Sequence, residues 1–284
     1  MKKYQETIMR GVFLLAALAS ILAILLICFF LFANGLPAMS KIGFFDFLLG
    51  TNWSPNDVPP SYGIFPMILG SIYVTAGAIL FGVPIGILTA LFMARFCPLR
   101  IYKLLKPAVQ LLAGIPSVVY GFFGLVLLVP LIRNLCGGNG SSILTASLLL
   151  GIMILPTIIG VSEAALRAVS EHYYEGALAL GASHERSVFF VVLPAAKSGI
   201  LAAVILGIGR AIGETMAVIM VAGNQARMPT GILQGIRTLT ANIVLEMGYA
   251  AELHREALIA TGVILFIFIL IINLSFTAIT RRAK

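Results

Sequence analysis

Charge is the scarcest commodity in this 284-residue chain: Asp, Glu, Lys and Arg together make up 11% of it, against roughly 25% in an ordinary water-soluble domain. With 60% apolar residues and a mean hydropathy of +1.05, water is excluded as its main solvent. Histidine and cysteine are scarce too, at three each. His172, His184 and His254 stand without metal-ligand spacing, and no second histidine follows His184 and Glu185 to complete a zinc-protease helix, so no metal site is expected. Cys28, Cys97 and Cys136 fall in the membrane, on the inner side and on the outer side of the topology developed below, so no disulfide is expected. There is no nucleophile elbow, no pair of carboxylates at catalytic spacing, and no G-x-x-x-x-G-K-[ST] phosphate loop anywhere. The chain is therefore read as no enzyme by itself, with no cofactor of its own.

What the chain has in abundance is uncharged length. The windows 11–40, 58–94, 107–132, 134–162 and 257–280 contain no charged residue, and each exceeds the about 20 residues a helix needs to cross a bilayer. The start, MKKYQETIMR before an apolar stretch over 11–33, imitates a secretory signal, but the stretch is too long and no A-x-A cleavage pattern follows, so it reads as an uncleaved first span. Further spans are expected over much of 65–93, where Pro84 either bends the helix or kinks it, then at 108–132, 143–162, 199–222 and 257–279. The segment 34–62, with NGLP, TNWSPNDVPPSYG and an interface aromatic in Trp53, suits an external loop. Periodicity leaves 223–256 open between an external loop with a short helix and a partly re-entrant segment. Six spans put both ends on one side. If that side is the cytoplasm, 13 of the 19 basic residues lie inside, five lie outside, and Arg210 alone interrupts a span, as positive-inside sorting requires. The net charge of +8 then reports topology, and nucleic-acid binding is unnecessary. Gly82 with Gly86, and Gly209 with Gly213, have the four-residue spacing that lets helices approach closely in lipid. The string GIGRAIG, at 207–213, is no dinucleotide loop, since its glycines are spaced G-x-G-x-x-x-G and no βαβ unit surrounds it.

The densest acidic run, 163–197, holds four of the eleven acids between the fourth and fifth spans. It reads either as a solvated connector or as something more specific, and its pattern decides: Glu175, Gly176, Ala177, three residues, Gly181, nine residues, then Val191, Val192, Leu193 and Pro194. This resembles the EAA motif of ABC-importer permeases, with Gly176 for the second alanine and Val191 for the usual isoleucine. The resemblance implies a coupling helix and turn docking into a groove of a separate ATPase. Ala and Leu favour helix, Gly181 permits a tight turn, and Pro194 is expected to end the second helical piece.

Further runs, YGIFPMILGSIYVT from Tyr62, LLAGIPSVVYGFFGL from Leu111, EGALALGAS from Glu175 and LPAAKSGILAAVILGIGRAIGETMAVIMVAGN from Leu193, extend the likeness over most of 60–280. The chain resembles ABC-importer permeases of the phosphate-specific transport system, of the PstC type, and the sister subunit of that system shares parts of the last two runs. The resemblance implies an all-α integral membrane protein of about six spans with the type I importer fold, divided into an N-terminal helix and external loop at 1–63 and a permease core at 64–284. It implies a bacterial cytoplasmic membrane location, a related PstA-type permease, a dimeric ATPase that holds ATP and Mg, an external phosphate-binding protein, and inorganic phosphate as cargo. Membrane lipid is the surrounding solvent.

For the cargo's route the candidates are Arg210 and Glu214. Four residues apart, they are expected on one face of the fifth span, and an arginine at bilayer centre costs roughly 2.5–3.5 kcal/mol on insertion scales. Either the two form a self-satisfied ion pair, or Arg210 attracts phosphate through its donor-rich plane while Glu214 holds the guanidinium and moderates affinity. Thr215 adds a hydroxyl. Pro116 and Ser117, expected inside the third span near its cytoplasmic end, either open the helix to a cavity as a gate or simply kink it; Tyr120 reads as packing. Another oxyanion such as molybdate or sulfate fits the same residues, and an anion channel or secondary carrier would use Arg210 without an ATPase.

Overall fold

A chain this apolar has to satisfy its backbone polar groups internally, and helices do so within one segment. A computed structural model describes residues 2–282; Met1, Ala283 and Lys284, the last residue of the expected basic tail, lie outside the described residues. The elements are α1 (Lys2–Ile42), α2 (Phe44–Leu49), a two-stranded hairpin β1 (Trp53–Ser54) and β2 (Ser61–Tyr62), α3 (Phe65–Leu91), α4 (Leu99–Gly114), α5 (Ser117–Phe123), α6 (Val129–Cys136), α7 (Ile143–Arg167), α8 (Glu171–Ala179), α9 (His184–Ser187), α10 (Leu193–Ala195), α11 (Lys197–Gly213), α12 (Met216–Val221), α13 (Leu239–Glu246) and α14 (Glu252–Arg282). Five helices among the described residues are long and apolar enough to cross a membrane, and a sixth span follows when a pair bent by 68°, His184–Ala195 with Lys197–Gly213, is taken together.

Three wide turns of π-helix have a common cause in the sequence. They occupy Phe92–Phe96, Gly124–Leu128 and Val188–Val192, and a proline stands two residues past each one, at Pro98, Pro130 and Pro194. A proline has no N–H to give to the preceding turn and its ring crowds the carbonyl four residues back, so the chain widens to a five-residue hydrogen bond, as in Leu193 N to Val188 O. Pro194 lies in α10 (Leu193–Ala195), the penultimate residue of the helical run His184–Ala195, and the sharp bend comes directly after that run, so the second helical piece of the loop ends there as expected. Pro84 stays inside an unbroken α3.

The most deeply placed helix, α7, packs against α3 along one side and α11 along another. Glycines make the first contact close: a Cβ on Gly82 would lie 2.8 Å from Ile154 and 2.9 Å from the Gly151 carbonyl, and one on Gly86 2.7 Å from Ile158. At the start of α7, where helix amides lack partners, Ile143 N and Leu144 N donate to Gln234 O and Ile232 O, and the Ser142 side chain accepts from Thr145 N. The segment 223–256 thus folds back as a cap on α7 and carries the short helix α13.

At the same end, the hairpin places Trp53 opposite Tyr62. Trp53 is not an interface anchor: it is buried, with Nε1 donating to Glu246 at 2.8 Å. Glu246 also meets His254 Nε2 at 2.8 Å and the Arg237 guanidinium. Two helices run far longer than the sequence expects. α1 crosses α14 closely at Gly35, with a Cβ there 2.7 Å from Val263, and its 8–30 portion is almost wholly exposed, which in this chain means facing lipid or another subunit. α7 continues to Arg167, so the acidic run begins inside a helix, with Glu163 buried rather than solvated.

Candidate functional site

Two helical runs are broken, and the breaks match. α4 ends at Gly114, after which Ile115 turns to φ −70°, ψ 127°; α11 ends at Gly213, after which Glu214 turns to φ −71°, ψ 129°. In each, the residue that leaves the helix donates its N–H to the carbonyl three back at 3.4 Å, Ile115 to Leu112 and Glu214 to Ala211. Different chemistry produces the same shape. Pro116 removes a donor and pushes Ile115 out of the helical region. At the second break no proline is present; instead the Glu214 carboxylate accepts from Ala217 N at 3.1 Å, a capping bond that starts α12 afresh. Beyond the breaks the new helices pack together. A Cβ on Gly121 would lie 2.7 Å from Met220 Sδ and 2.9 Å from Ala217 Cα, and one on Gly124 2.8 Å from Val221, so the pairing advances in step and α5 and α12 run in the same direction.

Two expectations are corrected by this geometry. Pro116 and Ser117 do not lie inside a helix over 108–132: Pro116 caps α5 and Ser117 is its first residue, while the basic stretch before it is helical as α4. Arg210 and Glu214 do not share a helix face, because the helix stops at Gly213 between them and Glu214 is spent on capping. Thr215 Oγ1 donates locally to Gly213 O at 3.3 Å.

Arg210, in the last turn of α11, is exposed, on the same stripe as the exposed Ala202, Leu206 and Gly213. No hydrogen bond or ion pair joins it to any described residue. Gly209 and Gly213, expected to pack a neighbouring helix, meet nothing within 4 Å in this chain. They leave the guanidinium uncrowded.

At the far end of the bundle, the EAA-like residues form a helix, a turn and a second helical piece. Glu175 and Gly176 are exposed on α8, Ala177 is half-buried, and Glu175 lies 3.8 Å from His172. Gly181 has φ 84°, the left-handed conformation that glycine alone adopts without strain. Leu193 is half-buried against the apolar cluster at this end, and Pro194 is exposed. Leu180, 91% exposed at the apex, was not singled out by the sequence pattern; an apolar side chain beside a left-handed glycine was its signal. The loop is tied to the spans: Arg95 donates to Glu171 at 2.8 Å, Tyr174 Oη and His184 Nδ1 are 2.7 Å apart, and Phe96 meets His184 edge-on at 4.7 Å. Behind it, buried Glu163 accepts from Tyr102 Oη at 2.8 Å, Lys106 Nζ at 2.6 Å and Arg167 Nε at 2.9 Å.

An apolar helical bundle with five helices long and apolar enough to cross a membrane, among the described residues, has the make-up of a multi-pass membrane protein. The chain belongs to the family described as binding-protein-dependent transport system inner membrane component, whose model matches residues 82–284. It is 40% identical over 266 residues to the probable ABC transporter permease protein YqgH of Bacillus subtilis, covering 90% of this chain and 86% of that one. It is 35% identical over 263 residues to the phosphate transport system permease protein PstC of Mesorhizobium japonicum, covering 85% and 80%. Among solved structures, a bacterial ABC transporter that imports the acidic polysaccharide alginate superposes with a TM-score of 0.66 at 18% identity over 99% of both chains, and an inward-facing MetNI methionine transporter with 0.59 at 21% identity over 78% and 94%. The fold is that of type I ABC importer permeases. Such permeases are non-catalytic membrane subunits that work with an ATPase and a substrate-binding protein.

Proposed function

We propose that this chain is the PstC-type permease subunit of an ATP-driven phosphate importer, with both termini cytoplasmic and Arg210 contacting the anion. The observation that carries the reading is the unpartnered guanidinium on an open face beside two matched helix breaks. A lone cation within a span is stable only where it meets water, a partner or an anion, and a planar five-donor group suits a tetrahedral oxyanion. The PstC relatives favour phosphate among such anions. Ser117 and Thr215, at the two breaks, bring hydroxyls toward the same route, and Glu214 holds α12 in place rather than holding Arg210.

A PstA-type permease completes the path on the exposed face of α11. A dimeric ATPase, which carries ATP and Mg, receives α8 with Glu175, Gly176 and Ala177, the Gly181 turn, and the rigid piece containing Leu193 and Pro194. An external phosphate-binding protein delivers the cargo at the hairpin end. ATP-driven closure of the ATPase moves α8, and the spans follow through the bonds of Glu171 and Glu163.

The test is uptake of radiolabelled phosphate by the assembled complex in vesicles, with Arg210→Ala and Arg210→Lys. The reading expects at least a tenfold loss for Ala, about the value of one charge-assisted hydrogen bond, partial retention for Lys, and no uptake when hydrolysis is blocked by vanadate. Near-normal uptake by Arg210→Ala overturns the role of Arg210. Stronger competition by molybdate or sulfate than by phosphate overturns the cargo, and uptake without the ATPase overturns the coupled mechanism.

A further inference from the structure

Each break leaves carbonyls that no helical amide can satisfy, and at each break a hydroxyl from elsewhere supplies the missing donor. Tyr120, on the first turn of α5, reaches back across the Pro116 break: its Oη donates to Leu112 O at 2.8 Å, shorter than the 3.4 Å bond that Ile115 N makes to the same oxygen. The ring is buried, at 6% exposure, in the central apolar cluster that also holds Ala217, Val218 and Val221 of α12. Thr240, on α13 in the segment that caps α7, donates from Oγ1 to Glu214 O at 3.2 Å, with its own hydroxyl 3.1 Å from that of Thr238. One hydroxyl comes from the helix after its break and lands on the carbonyl three residues before the break residue; the other comes from the capping segment and lands on the break residue's own carbonyl.

We propose that the Tyr120 and Thr240 hydroxyls are latches that set the angle at the two helix breaks, and that transport requires both to hold. They are positioning residues, acting on the path through the backbone rather than by touching cargo. The proposal rests on the reading that the breaks line the translocation path. Three features make Tyr120 the sharper case. Its bond spans only eight residues, so it constrains the break directly and nothing larger. The halves it joins have no other side-chain bond between them among the described residues. Its ring packs independently of its hydroxyl, so that Tyr120→Phe deletes the latch and leaves the packing.

The experiment uses the whole complex in sealed proteoliposomes, with Cys28, Cys97 and Cys136 replaced by Ser and spin labels at the exposed positions Leu111→Cys and Phe122→Cys, one on each side of the break. Distance distributions are measured with and without Tyr120→Phe, alongside cargo imported per ATP hydrolysed. Tyr120→Phe is expected to broaden the distribution and to lower the import ratio about fivefold, the equilibrium shift that one ordinary hydrogen bond supplies, while the melting temperature of the complex moves by no more than roughly 3 °C. Thr240→Val is expected to lower the ratio in the same way, and Thr240→Ser to restore it. An unchanged distance distribution in Tyr120→Phe overturns the latch; so does an unchanged import ratio, or a lowered ratio that Thr240→Ser fails to rescue. The distances require no cargo, so the phosphate assignment can fail in the uptake assay while the latch is upheld or overturned separately.

Discussion

Replacing Glu163 by Gln should loosen the loop end of the bundle by an amount the geometry lets one work out. The carboxylate is 1% exposed and receives three donors, from Tyr102, Lys106 and Arg167. Arg167 in turn donates to Met93 O at 2.9 Å and stacks over the Tyr102 ring at 4.6 Å, so one side chain gathers α3, α4 and α7. Glutamine keeps the shape but turns one acceptor into a donor facing an ammonium or a guanidinium. Removing one member of a fully buried ion pair costs about 3–5 kcal/mol. Here the Lys106 and Arg167 side chains are 34% and 46% exposed, so water reclaims part of their charge and about 2–3 kcal/mol is the better figure. At roughly 2–4 °C per kcal/mol for a chain of this size, the melting temperature of the solubilised complex should fall by roughly 5–10 °C. Lys106→Met alone should cost less, and the double variant should be milder than Glu163→Gln, because it removes the uncompensated donor. A fall of less than about 2 °C for Glu163→Gln would refute the claim that this carboxylate holds the three helices together.

Other outcomes follow from single positions. Gly181→Ala forces a side chain into φ 84°, costing about 1–2 kcal/mol at the loop's turn; ATPase activity stimulated by the binding protein should drop while the spans stay folded by circular dichroism. Gly121→Leu places atoms where Ala217 Cα already stands at 2.9 Å from a Cβ, so about 1–3 kcal/mol of overpacking should appear as reduced yield of assembled complex. Burial raises the phenol pKa of Tyr62. A raised pKa contributes stability that is complete below about pH 10 and is lost above it; phenolate absorbance at 295 nm should rise late for this tyrosine, and the hairpin end should loosen only in that alkaline range.

Much of the site was legible along the chain and part of it was not, for a physical reason that recurs. Arg210 is conspicuous because a charge in an apolar run is costly wherever it points, and the pattern from Glu175 to Pro194 is conspicuous because it is contiguous. Spacing alone also suggested that Arg210 and Glu214 pair, which assumes a continuous helix. That assumption failed at Gly213, where a side-chain cap competes with the next helical bond. Trp53 and Glu163 were misjudged likewise: an aromatic in a loop and an acid at a helix end carry no mark of a partner some 193 or 57 residues away. Local propensity is blind to such contacts.

By itself, then, the sequence determined the apolar solvent, a count of spans that the structure puts at five or six, and the contiguous motif between the fourth and fifth of them, because hydropathy and short motifs act through neighbours in the chain. Tertiary structure alone decided that two helical runs are broken alike, that 223–256 folds back over α7, that Glu163 and Glu246 are buried hubs, and that Arg210 is exposed with no hydrogen bond or ion pair to any described residue. Those outcomes depend on which donors and acceptors meet once the helices have packed, and a buried polar group is placed by its distant partner rather than by its neighbours.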